Sequence, residues 1–219
     1  MPAPYRNTRI LIVDDHPIYL DGISYWLQTV FTDVHLIRTR TAAEAIAAAA
    51  ASIELDWIFL DYQLPDQTGL AVLKAFSEHM VTAPVIMISA RDDVALAAEA
   101  IELGASGFVN KSCPQPIFEE CMHAIERGEI YLSPELALEM ETYRRTTLAA
   151  KSRIMDQMSA RRMDILVMIA AGYSNAEMAA ALSVSEATVK THVSALISIF
   201  EADNRSHCVA EARKWGIIK

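Results

Sequence analysis

The sequence predicts an α/β domain built on a doubly wound, five-stranded parallel sheet, followed by a small all-α domain. Five short apolar runs alternate with helical segments in the first part, a pattern typical of a parallel sheet with crossover helices. No strand-like run follows Met158. Residues 1–149 hold 10 basic and 21 acidic residues (−11), whereas residues 150–219 hold 9 and 7 (+2). This charge asymmetry indicates two domains with different partners.

The apolar runs are the predicted strands: Ile10–Val13, Val34–Ile37, Trp57–Leu60, Val85–Ile88 and Gly107–Val109. Continuous apolar runs of this length favour strands buried on both faces of a sheet. The predicted helices alternate with them: Pro17–Val30, Ala42–Ser52, Leu70–His79, Val94–Leu103 and Pro116–Arg127.

The character of the chain changes after Gly128. Residues 131–134 are predicted to be extended and to end in a helix start. Residues 135–156 contain neither glycine nor proline, which favours a helical linker over a flexible one. The predicted domains are therefore 1–129, a linker at 130–157, and 158–219.

Composition excludes several classes of protein. The 219 residues are 53% hydrophobic, yet no apolar stretch approaches the roughly twenty residues that a membrane span needs. The first residues lack a secretory pattern. The chain has three cysteines, Cys113, Cys121 and Cys208, and their odd number and irregular spacing argue against disulfides or a zinc site. We expect a soluble, cytoplasmic protein with no membrane partner.

Acidic residues stand at the ends of two predicted strands. Asp14 and Asp15 follow the first run, and Asp61 follows the third. Ligands of open parallel sheets gather outside the carboxyl ends of the strands. If these two strands are neighbours, three carboxylates meet in one pocket, where each would favour protonation unless a cation is present. A hard divalent ion with oxygen ligands, such as Mg²⁺, meets that need.

Two further polar residues end the remaining strands. Ser89 follows the fourth run, and Lys111 stands shortly after the fifth. A carboxylate nucleophile, a metal ion, a hydroxyl and an ammonium group together form a site for a phosphoryl group.

Residues 9 to about 129 resemble the receiver domain of bacterial two-component response regulators, which has a flavodoxin-like fold. The resemblance rests on the Asp14-Asp15 pair, on Asp61 within D-x-x-L-P-x-x-x-G, on Ser89 and on Lys111 followed by a helix. It implies that Asp61 accepts a phosphoryl group from a sensor histidine kinase.

The resemblance also implies roles for the neighbouring residues. Asp15, Asp61 and the backbone carbonyl of Gln63 would bind Mg²⁺, with Asp14 acting through water. Ser89 and Lys111 would hold the phosphoryl oxygens.

Two aromatic side chains near these residues have competing interpretations. Phe108 falls where the family keeps an aromatic switch, although a plain core role is the alternative. His16 lies beside the acids, and its position before Pro17 favours a helix start over a metal ligand.

The tail contains a helix-turn-helix pattern. Ser174 and Asn175 can cap a helix whose buried side holds Ala176, Ala179 and Leu182. Residues 183–185 form the turn, and Ser185 can cap the next helix.

That next helix has one apolar and one polar face. Its apolar residues repeat at spacings of four, three and four: Val189, Val193, Leu196 and Phe200. The opposite face is small and hydroxylic, with Lys190 on its flank, and this composition suits insertion into a major groove. It carries Ala187, Thr191, Ser194 and Ser198.

Residues 158–219 resemble the DNA-binding domain of LuxR/NarL-type regulators. The matching stretches are residues 170–175, residues 187–190 followed by His192, Asn204-Arg205, and residues 215–218. The resemblance implies that Glu186 to about Phe200 is the recognition helix and that Lys190, Thr191 and Ser194 contact double-stranded DNA.

Three departures from that family pattern affect the charge of the domain. Residues 159–162 lack the usual glutamate, Ser198 and Ile199 replace basic residues, and Glu201 and Asp203 add acid close to the expected phosphates. Each lost phosphate contact lowers affinity and flattens the salt dependence by about one unit of slope. We expect a monomer to bind DNA weakly and a phosphorylated homodimer to bind paired half-sites.

The combined pattern predicts a phosphorylation-controlled transcription factor without enzymatic activity of its own. An aspartate-nucleophile hydrolase is disfavoured because the first strand is not followed by Asp-x-Asp. A phosphorylation-independent or protein-interaction regulator with a weakened DNA-binding tail stays open as an alternative, since the basic residues at 198 and 199 are missing.

Overall fold

The computed structural model describes residues 7–51 and 54–219. The strands are β1 (Thr8–Val13), β2 (Val34–Thr39), β3 (Trp57–Asp61), β4 (Val85–Ser89) and β5 (Gly107–Asn110). The helices of the first part are α1 (Pro17–Val30), α2 (Ala42–Ala50), α3 (Gly69–Glu78), α4 (Val94–Glu102) and α5 (Gln115–Glu126). The later helices are α6 (Pro134–Gln157), α7 (Ala160–Ala170), α8 (Asn175–Leu182), α9 (Glu186–Ile199) and α10 (Arg205–Lys214).

The five strands form one parallel sheet in the order β2-β1-β3-β4-β5. This order confirms the predicted doubly wound sheet. Every residue of β3 and β4 is buried, as their continuous apolar runs predict. The order makes β1 and β3 neighbours, and the chain changes its winding direction between them, where ligands of such sheets bind.

Alternate strand residues face two apolar layers. Leu11, Ile58 and Met87 belong to the layer that packs with α2, α3 and α4. Ile10 and Phe59 belong to the other layer, with α1 and α5. Three rings join that second layer, with centroids 5.5–6.5 Å apart: Trp26, Phe59 and Phe118.

Two compact units divide the chain, residues 1–143 and 144–219. The division falls inside the predicted linker, within α6. In the first unit, Leu136 and Met140 of α6 are buried in the layer that contains Phe108. Tyr131 extends the sheet by one bridge to Gly107, and its carbonyl accepts a 3.0 Å hydrogen bond from the Phe108 N–H.

The second unit has its own apolar core, to which α7, α8, α9 and α10 all contribute. One expectation for α8 was wrong: Ala176 is exposed, whereas Met178 is buried with Ala179. Residues 176 and 178 lie about 200° apart around the helix, so the side of α8 that buries Met178 exposes Ala176.

The prediction for α1 matches the observed helix at both ends, and the predicted ends of the other four helices of the first part differ from the observed ones by at most two residues. The predicted helix Ala42–Ser52 ends at Ala50, and Ser52 lies outside the described residues. No helix in the described part of the chain is both long and apolar enough to cross a membrane.

Candidate functional site

The acidic residues converge at the carboxyl ends of β1 and β3. Val13 of β1 pairs with Leu60 of β3. The next residues along these two segments, Asp14 and Asp61, therefore lie side by side at this edge of the sheet. The Asp14 and Asp61 side chains are both buried, at 2% exposure, whereas the Asp15 side chain is about one third exposed. Asp14, Asp15, Asp61 and His16 each offer one ligand atom, and these atoms lie within 4.8 Å of one another.

Lys111 supplies the positive charge of the pocket. Its Nζ lies 2.7 Å from Asp14 Oδ2 and 2.7 Å from Asp61 Oδ2, so one ammonium group bridges the two buried carboxylates. The Lys111 side chain is 15% exposed. Its backbone N–H donates a 2.7 Å hydrogen bond to the carbonyl of Ser89, which ties the residue after β5 to the end of β4.

The charge of this pocket is not balanced. Burial raises the pKa of Asp61 above its ordinary value, and the nearby Asp14 carboxylate raises it further. The hydrogen bond and charge of Lys111 oppose that rise without cancelling it. One ammonium group therefore does not offset the cost of burying these carboxylates, so the pocket favours a further cation.

Ser89 and Phe108 stand on the other side of Asp61. Ser89 is the last residue of β4 and is 3% exposed; its Oγ accepts a 3.1 Å hydrogen bond from the Arg91 N–H. Phe108 lies on β5 opposite Met87, and its side chain is buried. The structure thus brings Asp61, Ser89 and Lys111 to one edge of the sheet, with Phe108 in the core behind it.

The loop after β3 positions the Asp61 carboxylate. Gln63 pairs with Thr68 in an antiparallel bridge, and the Gly69 N–H donates a 2.7 Å hydrogen bond to the Tyr62 carbonyl. A Cβ on Gly69 would collide with the backbone oxygen of Asp61. The glycine of the D-x-x-L-P-x-x-x-G pattern is therefore required by close backbone approach. Gln63 lines a cavity of about 600 Å³ that Asp61, Ser89 and Lys111 also line.

Two further side chains lie at this pocket: His16, for which the sequence favoured a helix start over a metal ligand and which does precede α1, and Tyr19, which sequence reasoning missed. His16 Nδ1 lies 3.0 Å from Asp14 Oδ1 and 2.8 Å from Asp15 Oδ1. The Tyr19 ring lies under the Lys111 ammonium group, with its centroid 4.9 Å from Nζ. The only signal for Tyr19 was its position one helical turn after Asp15, which does not by itself specify a partner.

The exposed side of α9 forms a second candidate surface, in the second unit. Lys190, Thr191 and Ser194 are all exposed on it. The Thr191 hydroxyl donates to the Ala187 carbonyl at 3.0 Å, so its remaining capacity is as an acceptor. Val189 and Leu196 are buried on the opposite side, which fixes the direction in which this surface faces.

Capped helix ends define the short turn between α8 and α9. Ser174 and Glu177 form a capping box at the start of α8. Ser183 ends α8 in the left-handed region at φ 53°, and Ser185 caps α9 by accepting from the Thr188 N–H. This short turn between two capped helices is the predicted helix-turn-helix.

Two family models match the chain. One, described as the response regulator receiver domain, matches residues 10–122. The other, described as bacterial regulatory proteins of the luxR family, matches residues 156–212. The first match covers the acidic pocket, and the second covers both helices of the helix-turn-helix.

Several known proteins are similar over most of their length. The glycerol metabolism activator of Pseudomonas putida is 28% identical over 208 residues, covering 93% of this chain and 94% of that protein. A LuxR-family two-component response regulator from Aurantimonas sp. SI85-9A1 is 27% identical, with a TM-score of 0.57 over 63% of this chain and 98% of its own. RcsB from Salmonella enterica serovar Typhimurium is 19% identical, with a TM-score of 0.54 over 94% and 98% of the two chains, a likeness that shows the fold alone.

Proposed function

We propose that phosphorylation of Asp61 controls the DNA binding of this chain, which belongs to the bacterial response regulators that join a receiver domain to a LuxR-family DNA-binding domain. That family consists of transcription regulators rather than enzymes. The observation that carries the proposal is the Asp61 carboxylate, buried at a strand end and 2.7 Å from the Lys111 ammonium group.

In the proposed reaction, a carboxylate oxygen of Asp61 attacks the phosphorus of a phosphohistidine on a sensor histidine kinase. The new O–P bond forms as the P–N bond to the imidazole breaks, and the leaving nitrogen takes up a proton. Lys111 then pairs with a phosphoryl oxygen, so the ammonium group that now bridges Asp14 and Asp61 offsets the added charge.

The donor set fits Mg²⁺. Carboxylate and carbonyl oxygens are the ligands that this ion takes, and three carboxylates of the pocket lie close together, two of them beside the Lys111 ammonium group. We propose that Asp15, Asp61 and the carbonyl of Gln63 hold the ion, with Asp14 acting through water. When bound, Mg²⁺ would neutralise charge on the transferring phosphoryl group.

We propose that the Ser89 and Phe108 side chains move when phosphorylation adds negative charge at Asp61. The Ser89 hydroxyl would turn from the Arg91 N–H toward a phosphoryl oxygen. Phe108 would then shift within the layer that also holds Leu136 and Met140 of α6. Movement in this layer would alter the receiver surface and favour a homodimer.

The DNA contacts proposed for the second unit are Lys190, Thr191 and Ser194 on the exposed side of α9. The RcsB structure was determined bound to promoter DNA in the presence of phosphomimetic BeF3⁻, and we propose that this chain also binds DNA. We assign residues 1–129 to the receiver, 130–157 to the linker and 158–219 to the DNA-binding domain. Because its target is the chromosome, we propose that the protein works in the cytoplasm.

To test the proposal, the protein is incubated with acetyl phosphate and Mg²⁺, and the mass of the intact chain is measured by mass spectrometry. We expect one added phosphoryl group in the wild type and none in Asp61→Asn. Size-exclusion light scattering with BeF3⁻ should show a dimer that Asp61→Asn does not form. Labelling that persists in Asp61→Asn contradicts the assignment.

A second candidate is a regulator that acts through protein contacts, because Lys190 is the only lysine or arginine among the residues of α9. A DNA footprinting assay on the upstream region of the protein's own gene distinguishes the two candidate functions. Protection that appears only with BeF3⁻ supports the leading proposal, whereas no protection at low salt in either state supports the second.

A further inference from the structure

Tyr19 occupies an unusual position beside the phosphorylation pocket. It lies in the first turn of α1, and its ring centroid is 4.9 Å from the Lys111 Nζ. The same ammonium group contacts the carboxylates of Asp14 and Asp61 at 2.7 Å. Lys111 is thus held by two anions and one aromatic face.

We propose that Tyr19 is a positioning residue that acts through Lys111, keeping its ammonium group in place for the phosphoryl oxygens. This inference rests on the proposed function of Asp61. An ammonium group within about 6 Å of a ring centroid is attracted by the ring's electron-rich face, and the attraction strengthens where water is excluded. The contact is well inside that distance, and the Lys111 side chain is only 15% exposed.

The ring, rather than the hydroxyl, is the part that acts. The Tyr19 hydroxyl is buried and has no hydrogen-bond partner among the described residues. Burial, followed by the charge of Asp14, raises the pKa of this phenol, so the ring stays neutral. Phenylalanine would keep the ring face, whereas leucine would fill similar space without it.

The lysine stem explains why a positioning contact is needed. Four rotatable carbons give the ammonium group many positions, and a lysine side chain beside a cavity tends to extend toward water. When Asp61 is phosphorylated, the ammonium group has to follow the new oxygens while Mg²⁺ occupies the carboxylates. An aromatic face permits that movement because it attracts the cation without fixing a single hydrogen-bond direction.

This role predicts different effects on two ligands. Loss of the ring should weaken BeF3⁻ binding, which needs the ammonium group to stay beside Asp61. It should leave Mg²⁺ binding unchanged or slightly tighter, because Lys111 occupies the Asp14 and Asp61 oxygens in the absence of the metal. Damage to the pocket as a whole would weaken both ligands together.

The experiment is calorimetric titration of the full chain, first with Mg²⁺ and then with BeF3⁻ at saturating Mg²⁺. We expect Tyr19→Leu to weaken BeF3⁻ binding by roughly 2- to 30-fold, the range that a cation–π contact provides. Tyr19→Phe should restore wild-type binding. Tyr25→Leu is the matched control, because Tyr25 lies on the same helix and is 71% exposed.

A double-mutant cycle with Lys111→Met tests whether Tyr19 acts through Lys111. The cycle is measured on urea unfolding of the Mg²⁺-free protein, so it needs no ligand. Tyr19→Leu should shift the unfolding midpoint less in the Lys111→Met background than in the wild type. Equal shifts in both backgrounds overturn the inference.

The outcomes separate this inference from the proposed function. If the wild type binds BeF3⁻ and Tyr19→Leu binds it equally well, or loses Mg²⁺ and BeF3⁻ together, the positioning role is wrong while the phosphorylation site stands. If the wild type binds no BeF3⁻ in the presence of Mg²⁺, the proposed function is wrong and the inference falls with it.

Discussion

Replacement of Gly69 by alanine should displace the backbone that positions the Asp61 carboxylate and lower the stability of the protein. A Cβ at this position would collide with the backbone oxygen of Asp61, and it would lie 3.0 Å from the Tyr62 Cα and 3.1 Å from the Met87 Sδ. The Met87 side chain can yield, but the two backbone atoms belong to the end of β3 and the residue after it. The strain therefore falls on the segment that positions Asp61.

The expected magnitude follows from these contacts. Overpacking in a well-packed region costs about 1–3 kcal/mol, and Gly69→Ala should lose that much stability. Gly22→Ala is the matched control, because Gly22 lies inside α1 and a Cβ there would meet nothing within 4 Å. The same chemical change at Gly22 should stabilise the protein by about 0.5–1 kcal/mol.

The assay is urea unfolding followed by the fluorescence of Trp26 and Trp57, which are buried in the first unit. The midpoint should fall for Gly69→Ala and rise for Gly22→Ala, with the slope unchanged. Acetyl phosphate labelling of Gly69→Ala should also slow, since the acceptor carboxylate is displaced. A Gly69→Ala protein as stable as Gly22→Ala would refute the argument from close backbone approach.

Three further changes test other parts of the molecule. Because the folded-state pKa of Asp61 is raised, the folded protein holds this proton more tightly than the unfolded chain, so the wild type loses stability as pH rises above the ordinary carboxyl value of 3.8. Asp61→Asn should therefore be more stable than the wild type at pH 7, with an advantage that disappears below pH 3.8 in urea unfolding; a constant advantage at every pH contradicts this. Ser174→Ala removes the capping box of α8 and should cost the second unit about 1 kcal/mol in calorimetry, whereas the exposed mid-helix Ser152→Ala should not destabilise it. Lys190→Ala should lower the salt dependence of DNA binding by about one unit of slope in anisotropy titrations, while Lys74→Ala on α3 leaves it unchanged; equal slopes for both would remove Lys190 from the DNA contacts.

Much of the fold could be predicted from the sequence because the sheet is buried on both faces. Each strand appears as an apolar run, and all five runs lie within the observed strands. The predicted runs stopped one residue short of Asp61 and Ser89, although both residues pair with the neighbouring strand. Polar residues inside a buried strand interrupt the apolar signal at the functional edge of the sheet.

Tertiary placement explains what the sequence did not predict. The contact between Tyr19 and Lys111 joins residues far apart in the chain, and only the parallel sheet, which brings the carboxyl ends of β1 and β5 to one edge, places them together. The collision behind Asp61 likewise depends on how the loop returns to β3, although the glycine itself was part of the quoted pattern. In α8, spacing alone favoured Ala176, whereas the orientation of the helix against its neighbours buries Met178 instead.

The most direct test of the account is to identify the phosphorylated atom. The protein is treated with acetyl phosphate and Mg²⁺, reduced with borohydride, digested and sequenced by mass spectrometry. Borohydride reduces an acyl phosphate to an alcohol, so a phosphorylated aspartate is read as homoserine. We predict homoserine at position 61 and at no other aspartate. Homoserine at position 14 or 15 with an intact Asp61, or no conversion in a chain that has gained a phosphoryl group, would contradict the account.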